Sequence, residues 1–346
     1  MTTVGLQGVA GDIDITGGAI PVITSSTMQF DTFGLVPGEF IFIGGDAALE
    51  KFTTVVGTDE VNNGWARIRS VTANAITLDK TQFLMVTEAS TIETVQIFMG
   101  RVLKNEATPS LQVRRTYNLE RELGAPDPTL PAQIQGEYLV GSVASELTLT
   151  MNTADKILAD LSFISTDNEQ RTGVTGLKTG TRPALVSGDA LNTSNDFSRL
   201  KMAVLDPLDS NPTALFAFVT DFTISVNNNL SPNKAISVLG AFEVTAGQFN
   251  VEGNLTAYFA DVTAVQSVRN NDDITLDFAI VKGSAGNKEG ISVDIPLIAL
   301  GDGRLNVEQD APITLPLDMP AAADRVFNHT LILSYYDHLP NAADTA

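Results

Sequence analysis

The sequence contains no cysteine. A disulfide framework, a thiol nucleophile and a thiolate metal site are therefore all excluded, and the chain is compatible with assembly in a reducing cytoplasm. Histidine occurs twice, at His329 and His338. They lack the helical spacing of zinc hydrolases, so both read as structural or surface residues. The single tryptophan, Trp65, and five tyrosines leave little for stacking on sugars. Cations are also scarce: 21 Lys and Arg face 41 Asp and Glu, a net charge of −20. Such a surface does not grip phosphates, although nucleic acid can pass it without sticking. Strong net charge also serves plain solubility. No apolar run approaches the ~18 residues of a membrane helix. The opening Met1-Thr2-Thr3-Val4-Gly5-Leu6-Gln7-Gly8 has no basic region before an apolar core, so neither a secretory leader nor membrane insertion is expected.

Catalytic signatures are missing too. Gly283-Ser284-Ala285-Gly286-Asn287-Lys288-Glu289-Gly290 has the glycines of a phosphate loop but not its Gly-Lys-Ser/Thr ending, and reads as a hairpin tip. Gly11-Asp12-Ile13-Asp14 sets two carboxylates on one side of a strand, but without the downstream Glu of a calcium loop. No catalytic residue, cofactor or metal site is expected.

What the sequence has is a period of two. Leu147, Leu149 and Met151 alternate with Glu146, Thr148 and Thr150. Phe222, Ile224 and Val226 alternate with Asp221, Thr223, Ser225 and Asn227. Phe249, Val251 and Leu255 alternate with Asn250, Glu252, Asn254 and Thr256. Alternation of this kind marks strands with one wet face. Helical periodicity is confined to Tyr258–Asn270, with a shorter helix possible around Phe197–Val204. The 346 residues suggest roughly two domains. Short strands and tight turns between residues 24 and 99 read as a small β-barrel-like domain inserted in a larger β-domain, 1–23 and 100–346. Pro126-Asp127-Pro128-Thr129-Leu130-Pro131 is unsuited to a central strand and reads as an exposed loop. Gln170–Asn195, rich in Gly, Thr and Ser, also reads as loop.

The order of segments from residue 100 onward resembles the tail tube (major tail) proteins of siphophages, whose long tails do not contract. Arg114-Arg115-Thr116-Tyr117-Asn118-Leu119-Glu120-Arg121 comes first, then Gly141-Ser142-Val143 leading into Leu147-Thr148-Leu149. Asn227-Asn228-Asn229-Leu230, Leu239-Gly240-Ala241-Phe242, Gly247–Leu255 and Ile291-Ser292-Val293-Asp294-Ile295-Pro296 follow. The resemblance implies a mainly β fold: an antiparallel sandwich with one flanking helix, lending strands to a tube barrel shared by all subunits. It implies rings, commonly hexameric, stacked into a non-catalytic conduit for DNA in the virion tail. Partners would be further copies and other tail proteins such as the tape measure, terminator and baseplate or distal tail proteins. On that reading Glu120, Glu146, Asp221 and Glu252 line the bore. The loop carrying Pro126, Asp127, Pro128 and Pro131, with the amino-terminal arm, touches the next ring, and the 24–99 insert sits on the outer surface. Two alternatives share the same composition: another β-rich virion protein (tail terminator or capsid decoration), and a carbohydrate-binding sandwich.

Overall fold

The computed structural model describes residues 5–184, 188–216, 218–259 and 262–344. Its first part contains β1 (Leu6–Gln7), β2 (Ile13–Thr16), β3 (Val22–Ser25), β4 (Phe40–Ile43), β5 (Val55–Val56), β6 (Asp59–Glu60), β7 (Gly64–Thr72), β8 (Ala75–Asp79) and β9 (Gln96–Met99). Seven of these form one sheet, in the order β1-β9-β4-β7-β8-β3-β2, and β5 pairs with β6. Alternate residues have opposite duties. Ile41, Ile43, Ala66 and Ile68 point inward to a core with Ile13, Ile23, Phe30, Phe52, Ile76 and Ile97. Phe40, Phe42 and Trp65 point the other way.

Two sequence expectations differ here. Among the described residues β1 and β2 do not pair with each other, and the outer side of β2 carries the isolated Ile15–Glu88 bridge, so the sheet curls around its core without closing into a barrel. Nor do the first residues stand with the larger body: Leu6 pairs with Ile97, and Ile13–Thr16 pairs with Val22–Ser25. Ile13 and Ile15 bury into the core of this sheet, so the boundary drawn at residue 23 passes through it. A short apolar strand carries no local mark of which sheet it will join.

The rest contains β10 (Arg101–Lys104), β11 (Tyr117–Gly124), β12 (Ile134–Asn152), β13 (Leu158–Ile164), β14 (Asp167–Gly173), β15 (Phe197–Val204), β16 (Val219–Asn227), β17 (Ser231–Asn233), β18 (Glu243–Thr245), β19 (Asn250–Tyr258), α1 (Thr263–Asn270), β20 (Asp273–Ser284), β21 (Asn287–Ala299), β22 (Gly301–Asp302), β23 (Thr314–Asp318) and β24 (Ile332–Leu339). An eight-stranded antiparallel sheet runs β11-β12-β16-β19-β23-β22, with β13 and β14 paired to the free side of β12. A five-stranded sheet, β10-β24-β21-β20-β15, packs against it. Between them lie Met151, Phe222, Ile224, Val251, Leu255, Leu315 and Leu317 from the first sheet. Met202, Ile274, Leu276, Phe278, Ile280, Val293 and Ile295 come from the second. Phe222 meets Phe278 edge to face at 5.6 Å. Each such side chain is worth about 1.5–3 kcal/mol when fully buried. Gly141 interrupts β12 with φ +63°, a conformation costly for other residues. The strand pairs with β14 before this point and with β11 as far as Ser142, then with β13 and β16.

Phe197–Val204 is a strand and not a helix: Leu200 pairs with Phe278 and Met202 with Leu276. Cross-strand partners distant in sequence override its ambiguous local spacing. The expected helix is present but shorter, because Tyr258 still pairs with Thr314 in the sheet. Asn271 ends α1 in the left-handed region at φ 56°. The Gln170–Asn195 stretch begins four residues inside β14. The Ala285-Gly286 tip joins β20 directly to β21, as a hairpin turn should.

The amino-terminal unit sits on the far face of the five-stranded sheet. Phe40, Phe42, Trp65 and Phe98 pack there against Ala279, Val281, Tyr336, Leu339 and Ala343. Trp65 lies edge-on to both Phe42 and Tyr336, each at 5.3 Å. The Tyr336 hydroxyl donates to Phe40 O at 2.6 Å. Beside this cluster, fully buried Asp294 accepts from Arg67 Nη1 at 2.9 Å and from Lys80 Nζ. Arg67 also forks onto Asp79 at 2.6 and 3.1 Å, and Arg199 pairs with Asp277. Burial alone would raise the Asp294 carboxyl; Lys80 and Arg67 hold it below its ordinary value.

Candidate functional site: one acidic face of the sheet

Register decides which polar rows meet. Glu146, Thr148, Thr150 and Asn152 of β12 lie opposite Asn227, Ser225, Thr223 and Asp221 of β16. On the other side of β16, Asn227, Ser225, Thr223 and Asp221 lie opposite Asn250, Glu252, Asn254 and Thr256 of β19. Directly opposed residues share a face, so the three polar rows read from sequence fuse into one surface. Ser225 Oγ donates to Glu146 Oε1 at 2.9 Å and Thr220 Oγ1 to Asp221 Oδ2 at 3.0 Å. The other side of these strands supplies Met151, Phe222, Ile224, Val251 and Leu255 to the core.

Two neighbours widen the surface. On β13, Ser162 and Asp160 lie opposite Glu146 and Thr148. On β23, Asp318 lies opposite Asn254. The face therefore carries Glu146, Asp160, Asp221, Glu252 and Asp318, while Glu146–Asn152, β13, β16, β19 and β23 contain no Lys or Arg. Asp160 and Asp318 escape sequence reading for different reasons. Leu158 breaks the alternation of β13 by standing on the polar side, opposite Thr150. β23 is too short and proline-interrupted, at Pro316, to show a period.

Glu120 is set apart. It lies on β11 opposite Tyr138, in the arm formed by β11, the first half of β12 and β14. Its carboxylate accepts from the Tyr138 hydroxyl at 2.5 Å and from Arg182 Nη2 at 2.6 Å. The hydrogen bonds from Arg182 and then Tyr138 pull its pKa down to about 2. Lys178 Nζ stands 4.6 Å from the Tyr138 ring centre and also pairs with Glu169. Glu120 is thus neutralised locally and does not join the row of the other three. Arg114 and Thr116 precede β11, and Arg114 reaches Val244 O.

Pro126, Asp127, Pro128 and Pro131 occupy the exposed turn at the tip of that arm, between Gly124 and Ile134. Asp127 ties it down by accepting from Thr129 N at 2.9 Å and Thr129 Oγ1 at 2.6 Å. The amino-terminal arm is paired from Leu6 onward, and residues 1–4 lie outside the described part.

The residues weighed for chemistry are absorbed by structure. Asp12 accepts from Ser26 N and Oγ, Thr27 N and Oγ1, and Ser25 Oγ. These donors outweigh burial and hold its carboxyl below the usual range. Asp14 caps Ser90 N at 3.0 Å. His329 is buried beside Phe327, and burial lowers its pKa, which favours the neutral ring. His338 tilts against Phe98 at 5.9 Å. Among the described residues no group of three or more His, Asp or Glu could hold a metal ion.

No curated protein matches the chain. Residues 3–321, however, match the family model described as phage tail tube protein. That span takes in both the amino-terminal unit and the acidic sheet face, and the chain therefore belongs to the phage tail tube protein family: a structural, non-enzymatic component of the phage tail, and so of the virion, that oligomerises.

Proposed function

We propose that the acidic face lines the bore of a tail tube of the siphophage type, built from stacked and commonly hexameric rings through which DNA enters the host. The carrying observation is the layering. The acidic face lies on one side of the sandwich core, and the amino-terminal unit covers the far side of the second sheet. With the acidic face inward, the amino-terminal unit is placed on the outside of the tube, where its mass does not obstruct passage. Duplex DNA carries one negative charge per ~1.7 Å of axis. A wall of hydroxyls, amides and scattered carboxylates without cations offers it no phosphate grip. Glu146, Asp221 and Glu252 are the lining residues on this reading, joined by Asp160 and Asp318. Glu120, already paired with Arg182, contributes little net charge.

The sheet also has the edge that ring closure needs. Among the described residues β13 pairs only with β12, and both Leu158 and Leu161 are about half exposed. An exposed apolar edge strand is a template for pairing with another chain, and closure into a shared barrel removes the edge. The Pro126–Pro131 tip extends beyond the sandwich toward a neighbouring ring. From Glu146 back to Ile134 the arm spans on the order of 40 Å at about 3.3 Å per residue. The tape measure, terminator and baseplate or distal tail proteins would meet the tube along its bore and at its two ends.

Negative-stain electron microscopy of the purified chain at rising concentration tests the reading. Rings or hollow tubes with a bore wide enough for duplex DNA, six-fold in end view, are expected. A monodisperse monomer at every concentration, together with antibodies that fail to label virion tails, would overturn it.

A further inference from the structure

The two ends of the acidic face are not alike. At the Asn227–Asn250 end, β16 and β19 are joined by residues 228–249, whose base is the β17–β18 hairpin. Its tip, 234–242, presents Ile236 at 98% exposure, Leu239 at 89% and Phe242 at 59%. Yet the tip is held in place. Phe242 N donates to Asn233 O at 2.9 Å, and Ala241 N donates to Thr166 O at 2.7 Å. Its one charged side chain is the exposed Lys234. A fixed hairpin that turns several aliphatic and aromatic side chains to solvent lacks a stabilising reason within one subunit.

At the other end of the same strands, nine residues and roughly 27 Å away, lies a shallow cleft of about 380 Å³. Tyr258, Ala311, Pro312, Asp221 and Glu308 help to line it. Exposed Phe218 and Val307 stand beside it in sequence, and Tyr258 N donates to Phe218 O at 3.1 Å. The cleft offers apolar surface with two carboxylates; the tip offers apolar side chains with one cation. Strands of a closed barrel end at its two rims, so in the tube proposed above tip and cleft would face opposite rims of a ring.

We propose that the Lys234–Phe242 tip of one copy seats in the Tyr258–Glu308 cleft of a second copy in the adjoining ring, with Lys234 meeting Glu308 and Asp221. This rests on the tube reading above. Contact between unlike surfaces either closes into a ring or propagates as an open stack with one polarity; surfaces on opposite rims give the stack. The Pro126–Pro131 arm leaves the sheet toward the same rim as the tip, so both would reach the same neighbour.

The test uses the whole chain and three sets of variants. Ile236→Asp with Leu239→Asp should raise the concentration needed for tubes by roughly a hundredfold, the equilibrium value of two lost aliphatic contacts, while leaving single rings. Lys234→Glu should shorten tubes, and adding Glu308→Lys should restore them. Because the chain has no cysteine, Leu239→Cys with Ala311→Cys gives a clean crosslink. Mild oxidation should yield a ladder of covalent multimers extending beyond one ring. A ladder ending at the ring size would place the contact within a ring and overturn the proposal. So would normal tubes from the double aspartate variant. Either result leaves the tube reading intact, whereas an unaltered chain that forms neither rings nor tubes overturns both.

Discussion

Replacing Asp294 by alanine removes the carboxylate that joins Arg67 to Lys80 at the junction of the sandwich and the amino-terminal unit. Asp294 is fully buried, and its partners are nearly so: Lys80 is 5% exposed and Arg67 2%. Arg67 keeps Asp79 in the variant, but Lys80 loses its direct ion-pair partner. Breaking a buried pair from one side costs about 3–5 kcal/mol, because the surviving charge is stranded. That is a large share of the ~5–15 kcal/mol of a typical domain. Trp65, the only tryptophan, stands in the same junction. Its fluorescence during urea unfolding therefore reports on separation of the two units directly. The loss should also depend on pH. Burial and then Arg67 already lower the Lys80 pKa in the folded protein. Without Asp294 it falls further below its unfolded value near ~10.4. A base whose folded pKa is depressed costs stability at low pH and returns it as pH rises toward the unfolded value. The deficit of Asp294→Ala should shrink as pH rises toward ~10.4. Asp294→Asn, which keeps the volume, should show most of the same loss. A loss below ~1 kcal/mol, or near-complete recovery in the asparagine variant, would refute the argument that charge pairing holds this junction.

Three further outcomes are expected. Glu39 is 1% exposed and burial raises its pKa to about 8, against a single hydrogen bond from Val36 N. As an acid with a raised folded pKa, it leaves stability intact below its unfolded value near ~4.3 and drains it as pH rises toward 8. Glu39→Gln should flatten that slope and raise the urea midpoint at pH 8 by the equivalent of a few kcal/mol; an unchanged pH profile would refute it. Reversing Glu146 and Glu252 together to lysine should leave tubes visible by microscopy but slow DNA ejection from phage, whereas Glu120→Lys should add little. Ejection at the normal rate from the double variant would remove these two residues from the bore. Deleting residues 126–131 should prevent stacking while rings persist, and tubes of normal length in that deletion would show the arm to be dispensable.

What could be read from the sequence was governed by local order. Glu146–Met151, Asp221–Asn227 and Asn250–Thr256 are regular alternations, and each became a strand with its polar row on the acidic face. Period two is a property of one strand, and these strands each keep it over several residues. Membership of a sheet is not local. Ile13 and Ile15 alternate as cleanly as any of these, but only their contacts with Ile23 and Ile97 assign them to the amino-terminal unit. Glu120 shows the same limit for charge. It reads as one more carboxylate on a polar strand, and its difference comes from Arg182, 62 residues away in sequence. Asp294 is the extreme case. It reads as one more polar residue in the alternation of Ile291–Pro296, where a polar position ordinarily faces water. Here the second face of the sheet is covered by another unit, and the position that would have been wet holds two cations from residues 67 and 80 instead. A carboxylate in the middle of a doubly covered strand implies cations supplied from elsewhere. In this chain that inference leads from the sandwich to the unit packed on its back, and so to which face of the sheet is left free.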